Sequence, residues 1–566
     1  MADGAAERGR GRRLGTLLVL GPVLVVLAAG SLPAHAEPDG WLTERREFDG
    51  AVGLEPEEGG VLTVDHERGY HGRLILEPDG KLINEVDLED YVAGVAEMPA
   101  RWPFEALKAQ AVAARTYAWW HAERAGADRT DLCATTACQV YRGVGVVEDG
   151  GERWAEAVEA TAGEVLTADG APLLARYFST SGGRTFDNVD VFPSTGEQPG
   201  LVGIDDPYDE VSPYHRWTVA FDRELFDELL ARGERLSAAV PVDGVVRRGE
   251  VDDPDATIVV TGEDGTSVEV AAGELRDFLS RVAPDARPGE YPGRAEDGIR
   301  RLPSTVPTAR YAVSVDDEQV VLEGRGWGHG VGMGQYGARG RAAQGQDYRE
   351  ILAAYYDGAV PQTSDRLPDT IRVDLGDSDR LTVGGDTPVT VAGDPPVRVL
   401  GTWTARATGD GWLLEPPEGT DEPLEVSATR QVERLGWSQG AAVAVDVNKP
   451  VDLHLEVREA ADGPVVLDRR LRVVDAGTHT ATWRHTDPDG RPVPPGDYAV
   501  TLRAEDAMGT VAGEPVVVTV DADEEDAGAG GQDPLAPVTP PVVVVAMVVL
   551  PVALLLAWIA LRKVRT

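Results

Sequence analysis

Glu97 is the side chain whose setting in the sequence most suggests chemistry. It stands between two segments with the hydrophobic periodicity of helices, 88–95 and 103–118, and a proline two residues later disfavours a continuous helix. Lys108 and Arg115 lie one heptad apart in the second segment, so they share one side of that helix. One carboxylate at a helix break, followed by ordered cations, could serve as a general acid or base. From spacing alone, a helix-end carboxylate with ordinary ion-pair partners is the commoner interpretation.

The residues around Glu97 resemble a known signature. The run GVAEMP at 94–99 is similar to the G-V-x-x-E-M-P run of the SpoIID/LytB family, the stage II sporulation protein D type of peptidoglycan lytic transglycosylase, but is one residue shorter. The following EALKAQAVAARTYA, at 105–118, also matches the family pattern. The resemblance implies that Glu97 is the catalytic acid.

Further runs extend the resemblance over roughly 61–360. They follow in order as CQVYRG at 138–143, YFSTSGGRTFDN at 177–188, VGIDDPYDEVSPYHRW at 202–217 and a glycine-rich run at 324–359. The resemblance implies a catalytic domain at 50–362 that contains a small β-rich insertion at about 223–310. We expect substrate-binding or supporting roles for seven residues: Lys108, Arg115, Tyr177, Ser181, His215, His329 and Gln335. For His329, a purely structural role is the competing interpretation.

The resemblance also implies a reaction, which needs one protein carboxylate and no cofactor. Glu97 would protonate the oxygen of the MurNAc-GlcNAc β-1,4 bond, and the C6 hydroxyl of the same MurNAc would then attack its own C1. The product is a 1,6-anhydroMurNAc end, and family resemblance suggests glycan strands without stem peptides as the substrate. Ordinary glycoside hydrolases need two carboxylates for this bond.

The glycine-rich run invites a second interpretation, because glycines can surround a phosphate. In 324–334 the glycines alternate at every second residue, whereas a dinucleotide site needs Gly-x-Gly-x-x-Gly inside a βαβ unit. The pattern therefore argues against nucleotide binding. We expect the glycines to let the backbone approach a bulky ligand closely.

Cys133 and Cys138 are the two cysteines of the chain. In an oxidising compartment the expected state is a disulfide. Two free thiols and a metal site remain as alternatives, since some relatives bind zinc near this position through cysteine and histidine. The nearest histidine in sequence is His121, so a tetrahedral site lacks evident ligands and we expect no metal.

The charge of the chain excludes one class of partner. The formal net charge is -43, and nucleic-acid binding needs clustered Lys and Arg. Acidity of this size keeps the surface solvated and would not repel a neutral or zwitterionic glycan.

The two ends of the chain predict its location. Residues 1–36 have the basic, apolar and A-x-A parts of a secretory signal, with Sec export expected and a twin-arginine route open. Residues 542–561 form an uncharged apolar run long enough for a transmembrane helix, and the tail 562–566 carries three cations. These features predict a single-pass protein of the cell membrane whose ectodomain faces the cell wall. The acidic and proline-rich stretch 521–541 would be the tether.

The remaining segments read as strands separated by Gly, Asp and Pro turns. Residues 370–447 predict a β domain of unclear type, and 450–520 have the spacing of an Ig-like sandwich. The run at 476–509 resembles the FlgD-type Ig-like module. The predicted fold class is α+β, followed by these all-β domains and the transmembrane helix.

Two other functions stay open. LytB-like relatives have been described as modifiers of a cell-wall amidase, so the chain could be a peptidoglycan-binding enhancer without activity of its own. A wall-anchored adhesin would account for the Ig-like module but not for the ordered motifs. Removal of the residues after Thr363 is expected to leave activity in an enzyme and to abolish binding in an adhesin.

Overall fold

The structure is a computed structural model that describes residues 40–57, 59–125, 132–293, 301–434 and 440–520. The predicted signal, tether, transmembrane helix and tail (1–36, 521–541, 542–561 and 562–566) lie outside the described residues.

The described part of the chain begins with short strands and two helices and continues with a series of short elements. The first group is β1 (Arg46–Asp49), β2 (Val52–Pro56), β3 (Leu62–Val64), β4 (Arg68–Tyr70), β5 (Arg73–Leu76), β6 (Lys81–Asp87), α1 (Leu88–Ala93) and α2 (Phe104–Ala122). The second group is β7 (Leu132–Cys133), α3 (Gly145–Glu148), α4 (Glu152–Glu159), β8 (Glu164–Val165), β9 (Thr167–Ala168), β10 (Ala171–Pro172), β11 (Tyr177–Phe178), α5 (Asn188–Val191) and 3-10 turns at Pro193–Thr195 and Pro207–Val211.

The middle of the chain adds a mixed segment and then returns to strands. The mixed segment is β12 (Trp217–Asp222), α6 (Arg223–Ala231), a 3-10 turn at Leu236–Ala239, β13 (Val242–Arg248), β14 (Thr257–Gly262), β15 (Ser267–Ala271), α7 (Ala272–Ala286), β16 (Tyr311–Val315) and β17 (Gln319–Gly324). The return is β18 (Met333–Gly334), α8 (Gln335–Ala343), α9 (Tyr348–Tyr355), β19 (Gln362–Thr363), β20 (Thr370–Asp377), β21 (Arg380–Gly385), β22 (Val389–Val391), β23 (Val397–Val399), β24 (Trp403–Ala407) and β25 (Gly411–Glu415).

The first body of the structure contains two large sheets, which combine strands from the two ends of residues 46–415. One sheet has the order β23-β22-β2-β5-β6-β20-β7, and the other has the order β1-β25-β24-β21-β3-β4. Strands of 370–415 thus pair with strands of 46–87, and their apolar side chains share one core with α1 and α2. Burial of β20 between β6 and β7 explains its apolar residues Ile371 and Val373, both fully buried.

The break around Glu97 has a local cause. Asp87 caps α1 by accepting hydrogen bonds from the backbone N–H groups of Glu89 and Asp90. The helix ends at Ala93, and α2 begins at Phe104 after Pro103. The intervening loop places Glu97 between the two helices, as the sequence predicted.

The mixed segment between β12 and β17 has a hydrophobic core of its own. Its two three-stranded antiparallel sheets, β12-β17-β16 and β13-β14-β15, pack with α6 and α7 around residues such as Phe221, Ile258 and Leu279. The β-rich insertion expected at about 223–310 lies within this segment, which contains β13, β14, β15 and the helices α6 and α7.

The C-terminal body is a sandwich of antiparallel sheets. Its strands are β26 (Arg430–Arg434), β27 (Ala441–Val447), β28 (Val451–Glu459), β29 (Val465–Val474), β30 (Gly477–Trp483), β31 (Gly496–Asp506), β32 (Gly509–Ala512) and β33 (Val516–Val520). Strands β26, β27 and β30 form one sheet, and the other five form the second around β28 and β31. Val443, Leu455 and Trp483 are buried between the sheets.

The α+β assignment is wrong, because the described chain is mostly β. Helices make up 20 % of it. The helical motif around Glu97 dominated the sequence pattern, while many strands are only two to five residues long and leave a weak periodic signal.

The expectation of a single-pass membrane protein is also corrected. Among the described residues, no helix combines the length and the apolar character that a bilayer crossing requires. The longest described helix, α2, carries Glu105, Lys108 and Arg115 and belongs to the core of the first body.

Candidate active site

The loop that carries Glu97 is held by the segment before α3. Val95 forms an antiparallel bridge with Tyr141, and the N–H of Ala96 donates to the carbonyl of Val140 at 2.8 Å. The N–H of Val140 in turn donates to Oε1 of Glu97 at 2.8 Å. A strand-like pairing therefore fixes both the loop and one oxygen of the carboxylate.

The second oxygen of Glu97 faces an amide from a distant part of the sequence. Gln335, the first residue of α8, places Nε2 at 3.4 Å from Oε2 and at 3.4 Å from the carbonyl oxygen of Glu97. The same amide lies 3.4 Å from Oε1 of Gln110, a fully buried residue of α2. The structure thus brings Glu97 and the predicted Gln335 together.

The environment of Glu97 favours its protonated form. Burial raises the pKa of the carboxyl, and the hydrogen bonds from Val140 and Gln335 oppose the rise without cancelling it. Both donors are uncharged. A carboxyl whose pKa is shifted upward by burial is suited to act as an acid near neutral pH.

Two tyrosines lie close to this carboxyl. The rings of Tyr117 on α2 and Tyr177 on β11 are 6.4 Å apart. Burial raises the pKa of both phenols, and the charge of Glu97 adds to the rise at each. The hydroxyl of Tyr177 is buried without a hydrogen-bond partner among the described residues. Tyr177 was among the residues expected from the sequence.

His329 supports Tyr177 rather than facing Glu97. Its Nδ1 accepts a hydrogen bond from the N–H of Val331 at 3.1 Å, so Nε2 carries the proton and donates to the carbonyl of Tyr177 at 2.9 Å. Burial lowers the pKa of His329 to about 4, which keeps the ring neutral. Both ring nitrogens of His329 thus bond to the backbone, which favours the purely structural role over a contact with substrate.

Ser181 and His215 belong to a second network, centred on the buried Asp209. The N–H groups of Ser181 and Gly182 donate to its two carboxylate oxygens at 3.0 and 2.8 Å. Nδ1 of His215 lies 2.9 Å from Oδ2 of Asp209. The network fixes the backbone of the loop that contains Ser181 and Gly182.

Lys108 and Arg115 point to other partners than Glu97. Lys108 pairs with Glu105 at 2.5 Å and lies 4.6 Å from the ring centre of Tyr348. The buried Arg115 makes two hydrogen bonds to Glu89, at 2.7 and 2.6 Å. Their side of α2 packs against other elements of the core and not against the Glu97 loop.

Sequence reasoning missed three residues of this region: Gln110 and Tyr117 near Glu97, and Arg176 directly before Tyr177. Gln110 and Tyr117 are one heptad apart on α2, and His121 continues the same face. This polar row within an alanine-rich helix was a usable signal. Arg176 had none, because a single arginine before a strand is common on any protein surface.

Cys133 and Cys138 form a disulfide, with 5.4 Å between their Cα atoms. Within the described ranges, no group of three or more His, Cys, Asp or Glu side chains is arranged to hold a metal ion.

Family models match two parts of the chain. The SpoIID model (stage II sporulation protein) matches residues 77–167, which include Glu97, and the FlgD Ig-like domain model matches residues 430–507. The second match covers most of the C-terminal sandwich.

Curated relatives match over about half of the chain. An uncharacterized protein of Brachyspira hyodysenteriae is 34 % identical over 51 % of this chain and 71 % of its own length. The amidase enhancer of Bacillus subtilis is 31 % identical over 47 % of this chain, but over only 39 % of its own length. The stage II sporulation protein D of the same organism is 29 % identical over 50 % of this chain and 76 % of its own length. The chain therefore belongs to the SpoIID family and carries a FlgD Ig-like domain in its C-terminal part.

Proposed function

We propose that this chain is a lytic transglycosylase of peptidoglycan, with Glu97 as its single acid and base. The observation that carries the proposal is the setting of this carboxyl. It is half-buried, its pKa is raised, and its hydrogen-bond donors are the uncharged groups of Val140 and Gln335. Membership of the SpoIID family supports a role at the cell wall.

The reaction uses both protonation states of Glu97. The protonated carboxyl gives its proton to the glycosidic oxygen between MurNAc and GlcNAc, and the bond from that oxygen to C1 of MurNAc breaks. The carboxylate then accepts the proton of the C6 hydroxyl as this oxygen bonds to C1. The MurNAc residue ends as a 1,6-anhydro sugar, no water is consumed, and Glu97 regains its proton.

The two hydrogen bonds to Glu97 serve the second half of this cycle. Once the proton has left, the N–H of Val140 and the amide of Gln335 stabilise the carboxylate that remains. Burial acts in the opposite direction and restores the acid. The balance keeps both forms accessible, which a group that alternates between acid and base requires.

The test is replacement of Glu97 by glutamine, which keeps the size and an oxygen acceptor for the N–H of Val140. We expect Glu97→Gln to remain folded and to lose about 10²- to 10⁴-fold in the rate of anhydro-product formation, measured by mass on purified peptidoglycan with and without prior amidase treatment. Glu123→Gln, at the exposed C-terminal end of α2, is the matched control and should retain full activity. A Glu97→Gln variant as active as the parent would exclude this role.

One relative supports a second candidate function. The similarity to the amidase enhancer of Bacillus subtilis suggests a protein that binds peptidoglycan and stimulates an amidase. Addition of the Glu97→Gln variant to a cell-wall amidase separates the two candidates. If the enhancer function is correct, the variant stimulates the amidase as strongly as the parent does, whereas a pure transglycosylase gives no such effect.

A further inference from the structure

Arg176 has a rigid backbone directly before Tyr177. Its carbonyl accepts hydrogen bonds from the N–H of Met333 at 3.1 Å and from the hydroxyl of Tyr356 at 2.8 Å. A Cβ at Gly332 would lie 2.0 Å from this carbonyl oxygen, so a glycine is required there. The base of the arginine side chain is therefore well fixed.

The guanidinium of Arg176 lies among aromatic and neutral groups. Its central carbon is 3.9 Å from the ring centre of Phe192. The pKa of His121 and that of His329 are both lowered to about 4. Burial is the largest cause, and the charge of Arg176 adds to it, so both imidazoles are neutral. Burial also lowers the pKa of Arg176 itself, because a buried cation is solvated less well than an exposed one.

No carboxylate pairs with Arg176 in the described part of the chain, and its Nε is buried without a hydrogen-bond partner there. Two more deeply buried arginines differ: Arg115 pairs with Glu89, and Arg310 with Asp252. The chain has 96 acidic and 53 basic residues, so a carboxylate partner would be easy to supply. A half-buried cation without one is costly and points to a partner that is not part of the protein.

Polar atoms on the neighbouring elements α2 and β11 also lack a partner. Nε2 of His121, the hydroxyl of Tyr177 and Nε2 of Gln110 are all buried without a hydrogen-bond partner among the described residues. Tyr117 connects them to the candidate acid, because its phenol responds both to the charge of Arg176 and to that of Glu97. Its ring is 4.4 Å from that of His121 and 6.4 Å from that of Tyr177.

We propose that Arg176 binds a carboxylate of the glycan substrate next to the bond that Glu97 cleaves, an inference that rests on the proposed function. Arginine presents parallel N–H donors that match a carboxylate in two hydrogen bonds. In a glycan strand, the lactyl group of MurNAc carries such a carboxylate when the stem peptide is absent. When the peptide is present that group is an amide, and the remaining carboxylates lie along the peptide. Arg176 is therefore a specificity-determining residue.

The test measures binding in the Glu97→Gln background, where turnover does not interfere. Three soluble ligands are compared: peptide-free strands with free lactyl carboxylates, the same strands with these groups converted to neutral amides, and oligomers of GlcNAc. We expect Arg176→Gln to weaken binding of the first ligand about 10- to 100-fold and to leave the other two unchanged. Arg281→Gln, an exposed arginine on α7, is the control and should change none of them.

Equal weakening of all three ligands by Arg176→Gln would show a structural role and overturn the inference, as would no change for any of them. Arg176→Lys retains the charge and should recover part of the affinity for the carboxylate strands. Peptide-bearing strands identify the source of the carboxylate: binding that depends on Arg176 there assigns it to the stem peptide, and independence assigns it to the lactyl group. Failure of the parent protein to form anhydro products would overturn the proposed function alone, since these measurements require no turnover.

Discussion

At the scale of single residues, two opposing effects set the pKa of Glu97: burial raises it, and two hydrogen bonds from neutral donors lower it. A cation beside this carboxyl would lower its pKa and remove the acid form near neutral pH. The structure instead uses Arg115 to hold Glu89, and Lys108 to hold Glu105. Cations of α2 thus stabilise the helix without depressing the pKa of the candidate acid.

The raised pKa of Glu97 predicts how stability depends on pH. The folded state holds this proton more tightly than the unfolded state, so as pH rises from about the ordinary pKa of 4.5 through the raised value, the wild-type protein loses stability. Glu97→Gln removes this loss. We expect the variant to gain unfolding free energy relative to wild type as pH increases over that window, measured by denaturant unfolding. A difference that is constant with pH, or that falls, would contradict the assigned pKa direction.

Glu97 could be located from the sequence, but its partners could not. The helix break and the family motif surround it within a few residues. Gln335 lies 238 positions further on, and only the fold brings it to the carboxyl. On α2, sequence spacing offered two heptad pairs, Lys108 with Arg115 and Gln110 with Tyr117. The expectation followed the charged pair, whereas the polar pair is the one near Glu97.

At the scale of elements, the position of Gln335 depends on the packing under α8. Asp206 is fully buried there and accepts a hydrogen bond from Tyr355 at 2.8 Å, and burial raises its pKa to about 6. A Cβ at Gly337 would lie 2.0 Å from the hydroxyl of Tyr355 and 2.3 Å from Oδ2 of Asp206. The glycine allows α8 to approach these side chains closely.

Gly337→Ala should therefore shift α8 and misplace Gln335. We expect it to lower the unfolding free energy by about 1–3 kcal/mol and to reduce anhydro-product formation. Gly273→Ala in α7 is the matched control, because a Cβ there meets no atom within 4 Å, and it should leave activity unchanged. Wild-type stability and activity in Gly337→Ala would show that this contact does not position the site.

Strand pairing was the part of the fold that the sequence predicted least well. Turn residues and alternation indicated strands beyond residue 363, and those strands are present. Turn residues and alternation do not show that β20 inserts between β6 and β7. The pairing joins β20 to β6 across about 290 residues and to β7 across about 240 residues. Helix α2, with its local periodicity, was predicted within a few residues of its bounds.

At the scale of the whole molecule, a truncated chain can fold only if it keeps the strands of both large sheets of the first body. Removal of everything after Thr363 was proposed from the sequence to separate an enzyme from an adhesin. It would delete β20, β22 and β23 from one sheet and β21, β24 and β25 from the other. A chain that ends at Thr420 keeps all of these strands and loses only the C-terminal sandwich. The sandwich contacts the first body through pairs such as Arg470 with Glu57 and Thr402 with Asp475.

We expect the chain that ends at Thr420 to remain folded and to form anhydro products, since the Glu97 site lies within the first body. The chain that ends at Thr363 should fail to fold cooperatively, because it leaves apolar strand edges such as β6 exposed. Circular dichroism on heating and product mass check both chains. An active, folded chain ending at Thr363 would contradict the shared sheets.

If Glu97 acts as proposed, cleavage of the glycan strand consumes no water. Digestion of peptide-free glycan strands in water labelled with oxygen-18 tests it most directly, because hydrolysis places a solvent oxygen at C1 of MurNAc and intramolecular attack does not. We expect unlabelled 1,6-anhydro products from the parent protein and none above background from Glu97→Gln. Products with a reducing MurNAc end that carries the label would contradict it.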